Sequence, residues 1–303
     1  MDSLDTLRIF HRVAEQGGFA RAADSLGLSK GAVSIAIQRL ESSLGTQLLH
    51  RTTRKVQLTQ DGEAFYERSR DLLDDMDELQ GMFRRKSQSL QGRLRVDMPA
   101  GMASMLVIPA LPRFLSEHPA LSVEISGTDR RVDLVREGFD CVLRMGTLQD
   151  SSLVARPLGR MRLVNCASPA YLQERGVPRT LADLAGHRLI HYASTPGQSA
   201  PGFEYPSSDG YRTLPMEGAV IVNNGSSYEA AALAGLGIIQ VPAMAVQEKI
   251  EAGRLAEILP DLPPEPMPVS ILYVQRRHLP LRVRVFMDWL ETLLSPYLLG
   301  ATA

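Results

Sequence analysis

The first sixty residues constrain the fold more tightly than any other stretch. Leu4, Leu7, Phe10 and Val13 fall every third residue, an amphipathic helix that Gly17-Gly18 stops. Residues 20–26 predict a second helix, with Ala22 and Ala23 small enough for close helix contact. Gly27-Leu28-Ser29 reads as a tight turn, and Ser29 is a good N-cap for a third helix. That helix carries a core stripe of Val33, Ile37, Leu40 and Leu44 and ends at Gly45. Residues 47–50 and 56–59 then read as short strands flanking the basic tip Arg51-Thr52-Thr53-Arg54-Lys55. Three short helices and a hairpin leave little choice of architecture.

With the core direction set through Val33, Ile37 and Leu40, the residues Gly31, Ser34, Ile35, Gln38 and Ser42 point away, with Lys30 at the amino end. A helix that presents small and polar groups and few acids can enter a DNA major groove. The bland alternative is a solvent-exposed helix of any α-helical domain, since helix-turn-helix geometry recurs outside DNA-binding proteins. The hairpin tip tilts the balance, because Arg51, Arg54 and Lys55 suit phosphates or a narrow minor groove. The candidate DNA-contact set is therefore Ser29, Lys30, Gly31, Ala32, Ser34, Ile35, Gln38, Arg51, Thr52, Arg54 and Lys55.

Charge separates this head from the segment after it. Residues 1–60 hold eight basic and five acidic groups, whereas residues 61–78 hold two basic and eight acidic ones. A basic head followed by an acidic helix implies two jobs. Thr59 can cap that helix, with Asp61 and Glu63 in its first turn favoured by the macrodipole. Phe65, Leu72 and Leu79 recur every seven residues, with Met76 and Phe83 between, a seam expected to run over residues 60–88 for ~40 Å. A long helix with one apolar stripe needs a partner, so self-association through this seam is expected.

From Arg93 onward short apolar strands (94–98, 121–125, 140–144, 162–167, near 189–190, 217–222 and 237–241, and 269–274) alternate with helices, which predicts an α/β fold with largely parallel sheets. The chain of 303 residues suggests about two domains, and a hydrophobic share of 44% with 22% charged residues is ordinary globular composition. The longest apolar run, residues 230–239, is half of what a membrane span needs. The amino end has neither a basic start nor an apolar run, and the two cysteines, Cys141 and Cys166, offer no disulfide framework. A soluble, cytoplasmic protein with no membrane partner is expected.

Taken together, these segments resemble the LysR-type transcriptional regulators. The stretch LRIFHRVAEQGGFARAADSLGLSKGAVSIAIQRLESSLGTQLLHRTTRKVQLTQDG (7–62) matches that family's winged helix-turn-helix almost position by position. DCVLRMG (140–146), CASPAYL (166–172) and AALAGLGI (231–238) extend the resemblance across the chain, closest to the branch containing CrgA-type regulators. The resemblance implies a winged head (1–59), a linker helix for dimerisation (60–90) and a periplasmic-binding-protein-like effector domain (91–303). Within the last, subdomain I (91–162 and 267–303) and subdomain II (163–266) would be joined by crossovers near 160–163 and 264–268. It implies a homodimer or homotetramer, double-stranded DNA and a small-molecule effector as partners, and the last helix returning to subdomain I. One departure matters: Ile35 stands where relatives often carry Arg or Lys.

In such a two-lobed receptor the ligand sits between the lobes, where helix amino termini supply N–H donors. Pro99, Ala100, Gly101 and Met102 follow the first strand, and Asn224, Gly225 and Ser226 open a helix of the second lobe. Thr128 and Arg144 lie just after strands. Two helix termini and a nearby arginine favour a small carboxylate effector, although ordinary capped turns and a structural ion pair at Arg144 are the alternatives. His187 and His191 read as surface histidines, not metal ligands, and Cys166 as a buried structural thiol. No nucleophile, metal or cofactor constellation appears, so a ligand-responsive transcription factor is favoured over a solute-binding protein or an enzyme, with no cofactor.

Overall fold

The structure, a computed structural model, describes residues 3–51, 56–81, 90–130, 132–148, 153–193, 202–275 and 279–300. They divide into two compact units, Met1–Arg93 and Leu94–Ala303.

The first unit holds helices α1 (Ser3–Gln16), α2 (Phe19–Leu26) and α3 (Lys30–Leu44), the antiparallel hairpin β1 (Leu49–Arg51) and β2 (Val56–Leu58), and the long helix α4 (Gln60–Gly81). Phe10, Val13, Ala22, Ala23, Val33, Ala36, Ile37, Leu48 and Leu49 form one buried cluster. Leu44, expected in that core, is instead largely exposed: it keeps the direction of the stripe but is the last residue of α3, before the Gly45 cap. Gly27 ends α2 in the left-handed region, with φ 65°, which lets α3 start at once. The wing is pinned from two sides. Glu41 Oε1 accepts the Leu48 and Leu49 N–H groups at 2.9 and 3.1 Å. Thr59 Oγ1 accepts the Gly62 N–H at 2.8 Å and donates to the Gln47 carbonyl at 2.7 Å. A Cβ on Gly62 would lie 2.0 Å from the Leu48 carbonyl oxygen, so only glycine lets α4 start this close to β1.

The second unit is built on a six-stranded sheet in the order β15-β6-β14-β5-β3-β4. Its strands are β3 (Gln91–Met98), β4 (Ala120–Gly127), β5 (Cys141–Met145), β6 (Leu153–Met161), β14 (Met267–Val274) and β15 (Leu298–Leu299). Around them lie α5 (Ala100–Met102), a π-helical turn Ala103–Val107, α6 (Ile108–Glu117), α7 (Leu134–Glu137) and α11 (Leu281–Leu294). A second lobe carries β7 (Leu163–Ala167), β12 (Ile239–Pro242) and β13 (Ala256–Ile258) as one sheet in the order β12-β7-β13. It also holds α8 (Pro169–Arg175), β8 (His191–Tyr192), the hairpin β9 (Phe203–Ser207) and β10 (Gly210–Leu214), β11 (Ile221–Val222), α9 (Gly225–Leu233) and α10 (Ala243–Glu251). The sheets are not largely parallel as expected. β3 pairs β5 and β8 pairs β11 in parallel, while β14 pairs both β5 and β6, and β7 pairs both β12 and β13, antiparallel. β6 carries the chain out of the first lobe and β14 brings it back, so side by side they can only run in opposite directions. The last helix packs on the first lobe, with Phe286 and Trp289 against Phe114 at ring separations of 5.7 and 4.7 Å.

His11 joins α1 to α4. Its ring is buried, stacks on Tyr66 at 4.1 Å and places Nε2 2.8 Å from Ser69 Oγ. That hydroxyl donates to the Phe65 carbonyl at 2.6 Å, which leaves it to accept from His11 Nε2–H. Burial lowers the pKa of His11 to about 4, against the opposing charge of Glu67. The unfolded chain therefore takes up a proton that the native one refuses as pH falls from 6.5 towards 4, and stability drops across that window. Urea unfolding followed by circular dichroism at about pH 7 and about pH 5 should show a smaller midpoint loss for His11→Gln than for the native protein. Equal losses would remove His11 as the source.

Candidate DNA-reading face and effector cleft

Ser29 is committed locally: its Oγ accepts the Ala32 N–H at 3.1 Å and caps α3. Beyond the cap, Lys30, Gly31, Ile35 and Gln38 are exposed, while Ala32 and Ser34 are half-buried. Ile35 keeps 51% of its surface in water, although the core of the unit lies one helix face away. Arg39, outside the set expected from sequence, is also exposed; its spacing from Ile35 puts a cation on the same face. Arg51 ends β1, and Thr52, Arg54 and Lys55 lie outside the described residues.

The apolar positions of α4 do not all face the head. Phe65 packs into the head, its ring 5.4 Å from Phe10, and so serves the head's own core. Leu72 is 59% exposed and Met76 half-buried, while Leu73, outside the heptad, is buried. The side chain of Leu79 and the whole of Phe83 lie outside the described residues.

Where the ends of β3 and β4 face the second lobe, the acids organise everything. Asp97, at the inner end of β3, is fully buried and receives Arg144 Nη2 at 2.6 Å and Thr128 Oγ1 at 3.0 Å. Arg144 Nη1 also donates to the Leu143 carbonyl at 3.0 Å. Arg144 and Thr128 are thus turned to Asp97, since a buried carboxylate must be paired. Met102, from the same segment, is buried in the first lobe. Pro99, Ala100 and Gly101 remain at the mouth, half-buried, and the space beside the Gly101 Cα is open.

Asp129 lies one residue beyond Thr128. Its Oδ1 accepts the Ala100 N–H at 3.2 Å and its Oδ2 accepts the Gly225 N–H at 2.7 Å, so one carboxylate spans both lobes. Asn224 Oδ1 caps α9 by accepting the Ser227 N–H at 2.8 Å, and Gly225 and Ser226 are exposed. Tyr192 stands near; burial, and after it the charge of Asp129, pushes its hydroxyl up to about 12. Sequence pattern finds both helix openings but neither acid. Asp97 in the apolar run Val96-Asp97-Met98 is the available signal, because a lone acid inside a buried strand demands a cation.

The remaining candidates are structural. His187 is buried beside Tyr171, Nδ1 to hydroxyl 3.2 Å, and is not the surface histidine expected. Cys141 and Cys166 are buried, and burial pushes the Cys166 thiol up to about 12. Among the described residues no cluster of three or more His, Cys, Asp or Glu side chains could hold a metal, and no helix is long and apolar enough to cross a membrane.

Residues 4–63 match the bacterial regulatory helix-turn-helix of the lysR family, and residues 87–295 match the LysR substrate binding domain. The chain belongs to the LysR family of transcriptional regulators. It is 46% identical over 298 residues to the HTH-type transcriptional regulator YhjC of Escherichia coli (strain K12), covering 98% of this chain and 100% of YhjC. An HTH-type transcriptional regulator of Haemophilus influenzae is 35% identical, covering 93% of this chain and 98% of that protein. Among solved structures, CrgA of Neisseria meningitidis, a LysR-type transcriptional regulator, superposes with a TM-score of 0.59 at 30% identity, covering 96% of this chain and 98% of CrgA.

The Asp97–Arg144 pair yields a direct expectation. Arg144→Ala strands a buried carboxylate and should cost about 3–5 kcal/mol of stability in the second unit, with Arg144→Lys losing less. Chemical unfolding followed by the fluorescence of Trp289, in the same unit, reads it. An unchanged transition for Arg144→Ala would mean that the pair contributes nothing.

Proposed function

We propose that this regulator reads operator DNA with the outer face of α3 and the wing, self-associates along α4, and answers to a small carboxylate held between the two lobes of the second unit. The DNA reading rests on one observation above the others: Ile35 is held out in water at the centre of a face made by Lys30, Gly31, Ser34, Gln38 and Arg39. An isoleucine gains nothing there until it meets an apolar group, and the thymine C5-methyl is the apolar group of the major groove. Ser34 and Gln38 supply neighbouring hydrogen bonds, and Arg51, Thr52, Arg54 and Lys55 supply backbone contacts without base discrimination. Phe65 contributes to the seam only through the head it braces; Leu72, Met76, Leu79 and Phe83 carry the apolar contact.

Replacing the thymine read by Ile35 with uracil removes only the methyl. Operator affinity should fall about five- to tenfold on this replacement for the native protein and not for Ile35→Ala. Equal responses would refute the contact.

For the effector, the supporting observation is that N–H groups from both lobes, at Ala100 and Gly225, already donate to a carboxylate, that of Asp129. Pro99, Gly101, Asn224 and Ser226 border the same place, with Arg144 and Thr128 held behind them on Asp97 and Met102 buried beneath. Thermal-shift screening of the full-length protein against small aliphatic and aromatic carboxylates, amines and neutral sugars should show stabilisation by carboxylates. Stabilisation by amines or sugars alone would overturn the carboxylate assignment while leaving the DNA reading intact.

A further inference from the structure

We propose that Asp129 is a clasp, an internal carboxylate that closes the cleft when no effector is present and that the effector must displace. The inference deepens the effector reading above and rests on it for the displacement step. The clasp itself stands on geometry. The lobes are joined covalently only where β6 runs into β7 and where the chain returns from β13 to β14. Asp129 bridges them elsewhere, from the loop after β4 to the first residue of α9.

The loop is built to hold it. Asp133 Oδ1 caps α7 by accepting the Arg136 N–H at 3.0 Å. Arg130, next to the clasp, is held away from it by two bonds to Glu137, at 3.0 and 2.7 Å. Thr128, the other neighbour, is tied to Asp97. With both flanking side chains anchored in the first lobe, the Asp129 carboxylate reaches outward with one oxygen on Ala100 of its own lobe and one on Gly225 of the other. Each bond sets a charged acceptor against a main-chain donor, which is stronger than a neutral pair. α9 also presents its positive end to the carboxylate. A ligand carboxylate aimed at the same two N–H groups cannot share them with Asp129, because two like charges would meet at one donor pair. Effector binding and clasp closure are therefore alternatives, and Asp129 sets a threshold on which acids can work. An effector must bring contacts beyond its carboxylate, since the carboxylate alone replaces only what is already there.

The test uses the full-length protein without effector. Amide hydrogen exchange, read residue by residue by mass spectrometry, is compared for the native chain, Asp129→Ala and Asp129→Asn. The asparagine variant keeps the size of the side chain but replaces one of the two acceptor oxygens by an NH2 donor, which in the native placement faces one of the two N–H groups. Exchange at Gly225 should speed up about tenfold or more in Asp129→Ala, and at Gly225 or Ala100 in Asp129→Asn, with amides of β5 unchanged. Native exchange rates at Gly225 and Ala100 in Asp129→Asn overturn the clasp, whether or not the alanine variant folds. Acetate, which fits the space left by the deleted side chain, separates the two claims. Renewed protection of Gly225 in Asp129→Ala by acetate supports a carboxylate effector. Fast exchange that acetate does not slow upholds the clasp and rejects the carboxylate.

Discussion

The antiparallel pairing of β6 with β14 is the constraint on which the second unit depends. These strands carry the chain between the lobes, and Met267↔Met161 through Val274↔Leu153 pair along their whole length. A pair of strands resists shear along the chain but bends across it, so the lobes inherit a hinge with a defined direction. The register shifts between Val269 and Ser270, which adds twist near the middle of the pair. Away from this strand pair the lobes meet again, at Asp129 and Gly225.

Much of this is legible in the chain. The head follows from local signals alone: Gly27 must turn, Ser29 must cap, and an apolar stripe must face inward. The outward direction of Ile35 follows from the same helical wheel that places Val33 and Ile37 inside. Leu44 escapes because a helical wheel gives a residue's direction but not whether anything packs there, and Leu44 stands in the last position of α3. The sheet directions escape because alternation of strands and helices reports layers, not the direction of the crossovers. Phe65 fits a heptad and yet serves the head, since a spacing says which face a residue takes but not which neighbour covers it.

The cleft is legible in outline and opaque in its charges. Pattern locates both helix openings, because glycines and asparagine after strands mark such turns. It cannot assign the arginine. Whether Arg144 meets a ligand or a neighbour depends on where a distant acid lies, and Asp97 is 47 positions away. Low exposure forces the outcome: a fully buried carboxylate takes the nearest cation, and a ligand gets what remains.

The close approach of Gly62 to Leu48 has a mechanical consequence. Because α4 begins in contact with the wing, and His11 and Phe65 fasten it to α1, the head and the start of the helix move as one piece. The helix runs on for 22 residues, roughly 33 Å. It is a lever with its short arm clamped in the DNA-reading body. A tilt of about 5° at the clamp sweeps the free end through about 3 Å, and a push of that size at the free end turns the wing by the same angle. Small displacements far along the helix are geared down into fine rotations of the head.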